Sequence, residues 1–112
     1  MSESNEKGAL TEAVYYILLA LNEPLHGYGI MQLVKDMSFN RVDLGPGTLY
    51  GALNTMVKKE WIEVVSQGGD KGKKEYLITD LGRSVVKREI LRLQELFENG
   101  RRIYGGDNDG NK

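Results

Sequence analysis

Thr48, Tyr50, Asn54, Thr55 and Lys58 form a run of small or donor-bearing polar groups with almost no charge. Asparagine can pair with the two Hoogsteen groups of an adenine. Threonine serves either a phosphate or a thymine methyl, and a tyrosine hydroxyl reaches a phosphate oxygen. Gly47 and Gly51 lie among them. A glycine in mid-helix costs about 1 kcal/mol relative to alanine, so Gly51 needs a reason. Close approach to another backbone is one. An ordinary solvated helix face would carry Glu and Lys instead. Further along, Lys71, Lys73 and Lys74 crowd a glycine-rich segment, Gly68 to Lys74. A basic turn alone is usually just a solvated turn. Downstream of such a helix it reads as a set of phosphate contacts, which give affinity without sequence information. The single histidine, His26, opens the segment His26-Gly27-Tyr28. It suits either a hydrogen bond at a helix start or a phosphate contact, with Tyr28 beside it.

Enzyme chemistry finds no comparable set. The sequence has no cysteine and one histidine, and no serine or carboxylate is spaced to form a nucleophile–base pair with it. The glycines lack the strand–glycine–helix context of a nucleotide fingerprint. No catalytic residue, metal or cofactor is expected.

The elements that must carry these residues follow from periodicity. Leu10, Val14, Ile17, Leu18 and Leu21 mark one face of a helix over residues 9–22. Tyr15, Tyr16 and Leu19 make the rest of it apolar too, so more than its own core should cover it. Ile30, Leu33, Val34 and Met37 predict a second helix from about His26 to Met37. Gly45-Pro46 opens a third, with proline in the first turn where its missing N–H does no harm. At roughly 100° per residue, Leu49, Leu53, Met56 and Val57 gather on one side of it. Thr48, Tyr50, Gly51, Asn54, Thr55 and Lys58 fall on the other. Two strands are expected at residues 61–66 and 73–79, where Ile62/Val64 and Tyr76/Ile78 alternate. Trp61 reads as a core anchor. Thr79 can cap a last helix over residues 80–99, with Asn99-Gly100 as a stop signal and Ile103 and Tyr104 able to add a turn.

That last helix carries a broad apolar arc, including Leu81, Val85, Val86, Ile90, Leu93, Leu96 and Phe97. One small domain cannot bury it all, so a homodimer is expected. Tyr15, Tyr16, Ile90, Leu93 and Phe97 could line a cavity between subunits for a small aromatic or apolar effector. They could equally be plain dimer core, which has the same composition.

Composition sets the outer bounds. The 112 residues are 40% hydrophobic and 28% charged, as in a folded single domain. Net charge is only −1. Acidic residues collect near the ends, at Glu3, Glu6, Glu12, Asp107 and Asp109, so a local basic patch is compatible with it. The apolar run from Ala13 to Leu21 is under half of the roughly 20 residues a membrane span needs. Met1 to Gly8 has no apolar stretch of the signal-peptide kind. A cytoplasmic protein without membrane association is expected.

Three segments together resemble the PadR family of bacterial transcriptional regulators. They are Pro24-Leu25-His26-Gly27-Tyr28-Gly29-Ile30, Gly47-Thr48-Leu49-Tyr50 with Ala52-Leu53, and Lys73 through Gly82. The pattern departs at Gly51, where proline is common, at Glu60-Trp61, where Gly-Leu is usual, and at Glu75, where an aromatic is frequent. Leu93 lies near a tryptophan found in some drug-binding members. The resemblance implies a mostly α (α+β) winged helix-turn-helix that dimerises through its C-terminal helix. It also implies binding of a double-stranded DNA operator, usually as a repressor that a small molecule releases. The expected organisation is a disordered N-terminus (1–8), the winged helix-turn-helix (9–79), a dimerisation helix (80–104) and a disordered tail (105–112). The competing reading is a winged helix that docks a protein partner and binds no DNA.

Overall fold

Thr11 sets the start of the first helix, α1 (Glu12–Ala20): its hydroxyl accepts from the Val14 N–H at 3.1 Å. The helix is therefore shorter at both ends than the apolar pattern over 9–22. At its C-terminal end the Leu21 N–H folds back to Ile17 and Leu18, and Ile17, Leu18 and Leu21 are fully buried. The computed structural model describes residues 8–67 and 73–105. Most of both expected disordered ends, and the glycine-rich turn with Lys71, lie outside the described residues. After α1 come β1 (Leu25–His26), α2 (Gly27–Met37), α3 (Pro46–Lys58), β2 (Ile62–Ser66), β3 (Glu75–Ile78) and α4 (Asp80–Tyr104).

The chain divides into two compact units, Leu10–Val86 and a second that takes in the residues up to Ala9 and those from Lys87 onward. In the first, the strands form an antiparallel sheet of order β1-β3-β2. Leu25 pairs with Tyr76 and His26 with Glu75, while Ile62 faces Ile78. Strand β1 has no counterpart in the sequence reading. Two residues cannot show an alternation, and β3 supplies their pairing. A bulge between Val64 and Ser66 leaves Val65 exposed at the root of the hairpin. β3 is tied to the end of α1 through the Ile78 N–H and the Leu21 carbonyl, 2.8 Å apart.

Eight residues separate α2 from α3, and Ser38 organises them. Buried at the end of α2, its hydroxyl donates to the Lys35 carbonyl at 3.2 Å and accepts from the Val42 N–H at 2.9 Å. Phe39 and Asn40 then take the left-handed conformation (φ 54° and 68°) that reverses the chain. Arg41 Nε reaches Glu12 at 3.0 Å and clamps this turn to α1. The Arg41 guanidinium holds the Glu12 carboxyl below its usual range, chiefly through that hydrogen bond.

The junction from α3 to the sheet is a Schellman turn. Trp61 N–H bonds to Met56 carbonyl and Glu60 N–H to Val57 carbonyl, both at 3.0 Å, with Glu60 left-handed at φ 66°. Thr79 joins this turn to α4. Its hydroxyl lies 2.7 Å from the Glu60 carbonyl and 3.0 Å from that of Trp61, and it accepts the Gly82 N–H at 3.0 Å. A Cβ on Gly82 would collide with the Trp61 carbonyl, which is backbone and cannot yield.

In the second unit, α4 passes straight through Asn99-Gly100. The final turn includes Ile103 and Tyr104, and Gly105 (φ 80°) takes the terminating position one turn later than the sequence signal. Glu89 pairs with Arg92 through two bonds of 2.9 and 2.6 Å.

Glu60 occupies a backbone conformation that glycine adopts without steric penalty. Glu60→Gly should stabilise the fold by about 1 kcal/mol, read as a higher midpoint in chemical unfolding. An unchanged or lower midpoint would mean that relief at this turn does not outweigh the freedom glycine adds to the unfolded chain.

Candidate nucleic-acid interface

Burial of Leu49, Leu53 and Met56 fixes which way α3 faces. Thr48, Tyr50, Gly51, Asn54, Thr55 and Lys58 are all exposed, with Gly47 in the first turn. Gly45 and Pro46 start the helix without a side-chain cap. Thr55 spends its hydroxyl proton on the Gly51 carbonyl, 3.1 Å away. That leaves it an acceptor and a methyl, better suited to a thymine than to a phosphate. Nothing lies within 4 Å of where a Cβ on Gly51 would sit. The fold itself therefore supplies no reason for that glycine.

Tyr50 leans across to the start of α2. A Cβ on Gly27 would collide with the Tyr50 phenol, so the absent side chain is what lets the ring settle there. Beside it, His26 caps α2: its Nδ1 accepts from the Gly29 N–H at 3.3 Å. In the neutral ring that places the proton on Nε2, a donor. Between the two expected roles of His26, the helix-start bond is present. It leaves the other nitrogen available.

These side chains meet in one cleft of about 400 Å³, lined by His26, Gly27, Tyr28, Tyr50, Asn54, Lys73, Lys74 and Tyr76. Elements far apart in sequence thus converge: the N-terminus of α2, the exposed face of α3, and the approach to β3. Lys73 and Lys74 are exposed at its rim. Of the residues nominated from sequence, His26, Tyr28, Tyr50, Asn54, Lys73 and Lys74 are gathered here. Gly47, Thr48, Gly51, Thr55 and Lys58 sit on α3 outside the cleft lining, and Lys71 lies outside the described residues. Sequence reasoning missed two members, Gly27 and Tyr76. Tyr76 is buried, and burial, then the nearby Tyr50 phenol, push its own phenol above the ordinary value.

The other nominated residues do not line the cleft. Tyr15 and Tyr16 are half-buried on α1 with ring centroids 6.1 Å apart. Ile90, Leu93 and Phe97 are exposed on α4 in the second unit. Among the described residues there is no cluster of metal-ligating side chains, and no helix is long and apolar enough to cross a membrane.

Residues 17–88 fit the transcriptional regulator PadR-like family. The chain belongs to that family. A 37.1 kDa protein in transposon TN4556 of Streptomyces fradiae is 35% identical over 86 residues, or 76% of this chain. The match spans only 24% of that longer relative. Protein X of Lysinibacillus sphaericus is 32% identical over 84 residues, covering 71% of this chain and 75% of that one. Among solved structures, a PadR family transcriptional regulator from Eggerthella lenta superposes with a TM-score of 0.70 at 21% identity. It covers 94% of this chain and 86% of its own. A PadR-like regulator from Bacillus cereus gives 0.65 at 21% identity, over 95% and 96% of the two chains. The winged-helix fold inferred from residues 9–99 is thus the fold of this family, with its single C-terminal helix.

Because space beside Gly51 is open, Gly51→Ala should raise stability by about 1 kcal/mol. A thermal melt checks this. A lower melting temperature would mean that the glycine serves the fold after all.

Proposed function

We propose that the chain is a transcriptional repressor that binds a palindromic DNA operator as a homodimer and is released by a small planar or apolar effector. The observation that carries this reading is the shared cleft. The exposed, charge-poor face of α3 opens directly onto Lys73 and Lys74 and onto the N-terminus of α2. A helix with its base-reading groups outward, flanked by cations for phosphates, can enter a major groove and be held there. Gly51 fits the same reading: the fold bears a cost at that position which close approach to a DNA backbone would offset.

The dimer is supported by α4. Ile90, Leu91, Leu96 and Phe97 are exposed, Phe97 by 65%, and a surface of this kind is ordinarily covered. Two copies of α3 would meet successive major grooves about 34 Å apart. Tyr15, Tyr16, Ile90, Leu93 and Phe97 are the proposed effector contacts. A winged helix that docks only a protein partner is the competing reading. The lysines at the cleft rim favour DNA.

Two variants separate reading from gripping. Asn54→Ala should cost about 1–3 kcal/mol on the operator and much less on random duplex. Equal losses would assign Asn54 to the backbone. Lys73→Ala with Lys74→Ala should weaken both duplexes alike and reduce the salt slope by about 2. An unchanged slope would remove these lysines from the interface. Light scattering at micromolar concentration should show a dimer, and a stable monomer would overturn the symmetric arrangement.

A further inference from the structure

Tyr76 is only 4% exposed and lines the cleft, yet its hydroxyl has no hydrogen-bond partner among the described residues. With no such protein acceptor or donor beside it, the hydroxyl depends for its hydrogen bonds on whatever occupies the cleft, water or a ligand. Phenylalanine would fill the same strand position, so the fold itself does not ask for the hydroxyl. The residues around it share one character. Gly27 and Tyr28 begin an eleven-residue helix, whose first turn leaves N–H donors without intrahelical partners and carries a partial positive charge. Tyr50 brings a second phenol, held in place by the bare backbone of Gly27. Lys73 and Lys74 supply cations at the rim. The volume of about 400 Å³ far exceeds that of a single water.

We propose that this cleft is a pocket for one phosphate of the DNA backbone, in which the Tyr76 and Tyr50 hydroxyls donate to its oxygens. The proposal rests on the DNA-binding reading above and adds a residue and a role to it. Tyr76 is a donor reserved for the partner: neutral, buried, and unpaired until the phosphodiester arrives. A neutral donor differs from a lysine in one measurable respect. It strengthens binding without releasing a counterion, so its loss changes affinity and leaves the salt slope alone.

The test is Tyr76→Phe in the full chain, titrated with a random-sequence duplex over a series of salt concentrations, with thermal unfolding of the free protein alongside. A hydrogen bond to a charged group implies roughly tenfold or greater loss of affinity. The salt slope should stay as in the unmodified protein, and the melting temperature should be unchanged or higher. Undiminished affinity overturns the proposal while leaving DNA binding intact. A lower melting temperature also overturns it, by showing that the hydroxyl serves the fold. A second arm replaces the duplex with inorganic phosphate. Tyr76-dependent stabilisation by free phosphate, with duplex affinity unaffected, would assign the pocket to a soluble anion instead. No salt-dependent duplex binding by the unmodified protein would bring down both this proposal and the reading beneath it.

Discussion

Leu49, Leu53 and Met56 can be buried in only one rotation of α3, and the interface depends on that rotation. Each buried side chain contributes roughly 1.5–3 kcal/mol, and turning the helix would put Asn54 or Lys58 into the core without partners, at further cost. The two terms act in the same direction, so the polar face has no alternative to pointing outward. The loop before α3 and the turn after it preserve the setting. Ser38 and the Arg41–Glu12 pair hold one end, and the Trp61–Met56 bond and Thr79 hold the other. Neither end contains a residue of the proposed interface, so its stability and its chemistry are encoded separately.

On the exposed face of α3 and in the cleft beside it the balance is reversed, and the sequence accepts local cost. Gly27 gives up a side chain so that Tyr50 can lie over it. Gly51 weakens α3 with no packing gained in the chain, and Tyr76 carries a hydroxyl into the interior without a partner. Departures from local optimum that cluster on one surface are characteristic of sites with work to do on another molecule. Glu60 differs from them. Its left-handed backbone serves only the turn, and the position lies away from the cleft lining. The weak net charge is no obstacle, because phosphate contact depends on where cations sit and not on their sum.

Periodicity carried much of this in the sequence itself. The stripe from Leu49 to Val57 placed the exposed face of α3 correctly, Pro46 marked its start, and Thr79 was recognisable as the cap of α4. What periodicity could not carry were features created by distant partners. Strand β1 exists because β3 pairs with it. The role of Gly27 is set by Tyr50, 23 positions away. Alternation along β3 correctly turned Tyr76 inward, but nothing local says that its hydroxyl would arrive without an acceptor. The continuation of α4 through Gly100 is a similar case: one glycine weakens a helix without ending it, and the left-handed stop came at Gly105.

In the proposed function, α2, α3 and the start of β3 present one continuous surface to DNA. Amide NMR of the nitrogen-labelled protein during titration with a random-sequence duplex tests this most directly. The resonances of Gly27, Tyr28, Gly51, Asn54 and Lys73 to Tyr76 should shift together, saturate at a common concentration and return when salt is raised. Shifts confined to other parts of the chain, or none at all, would contradict it.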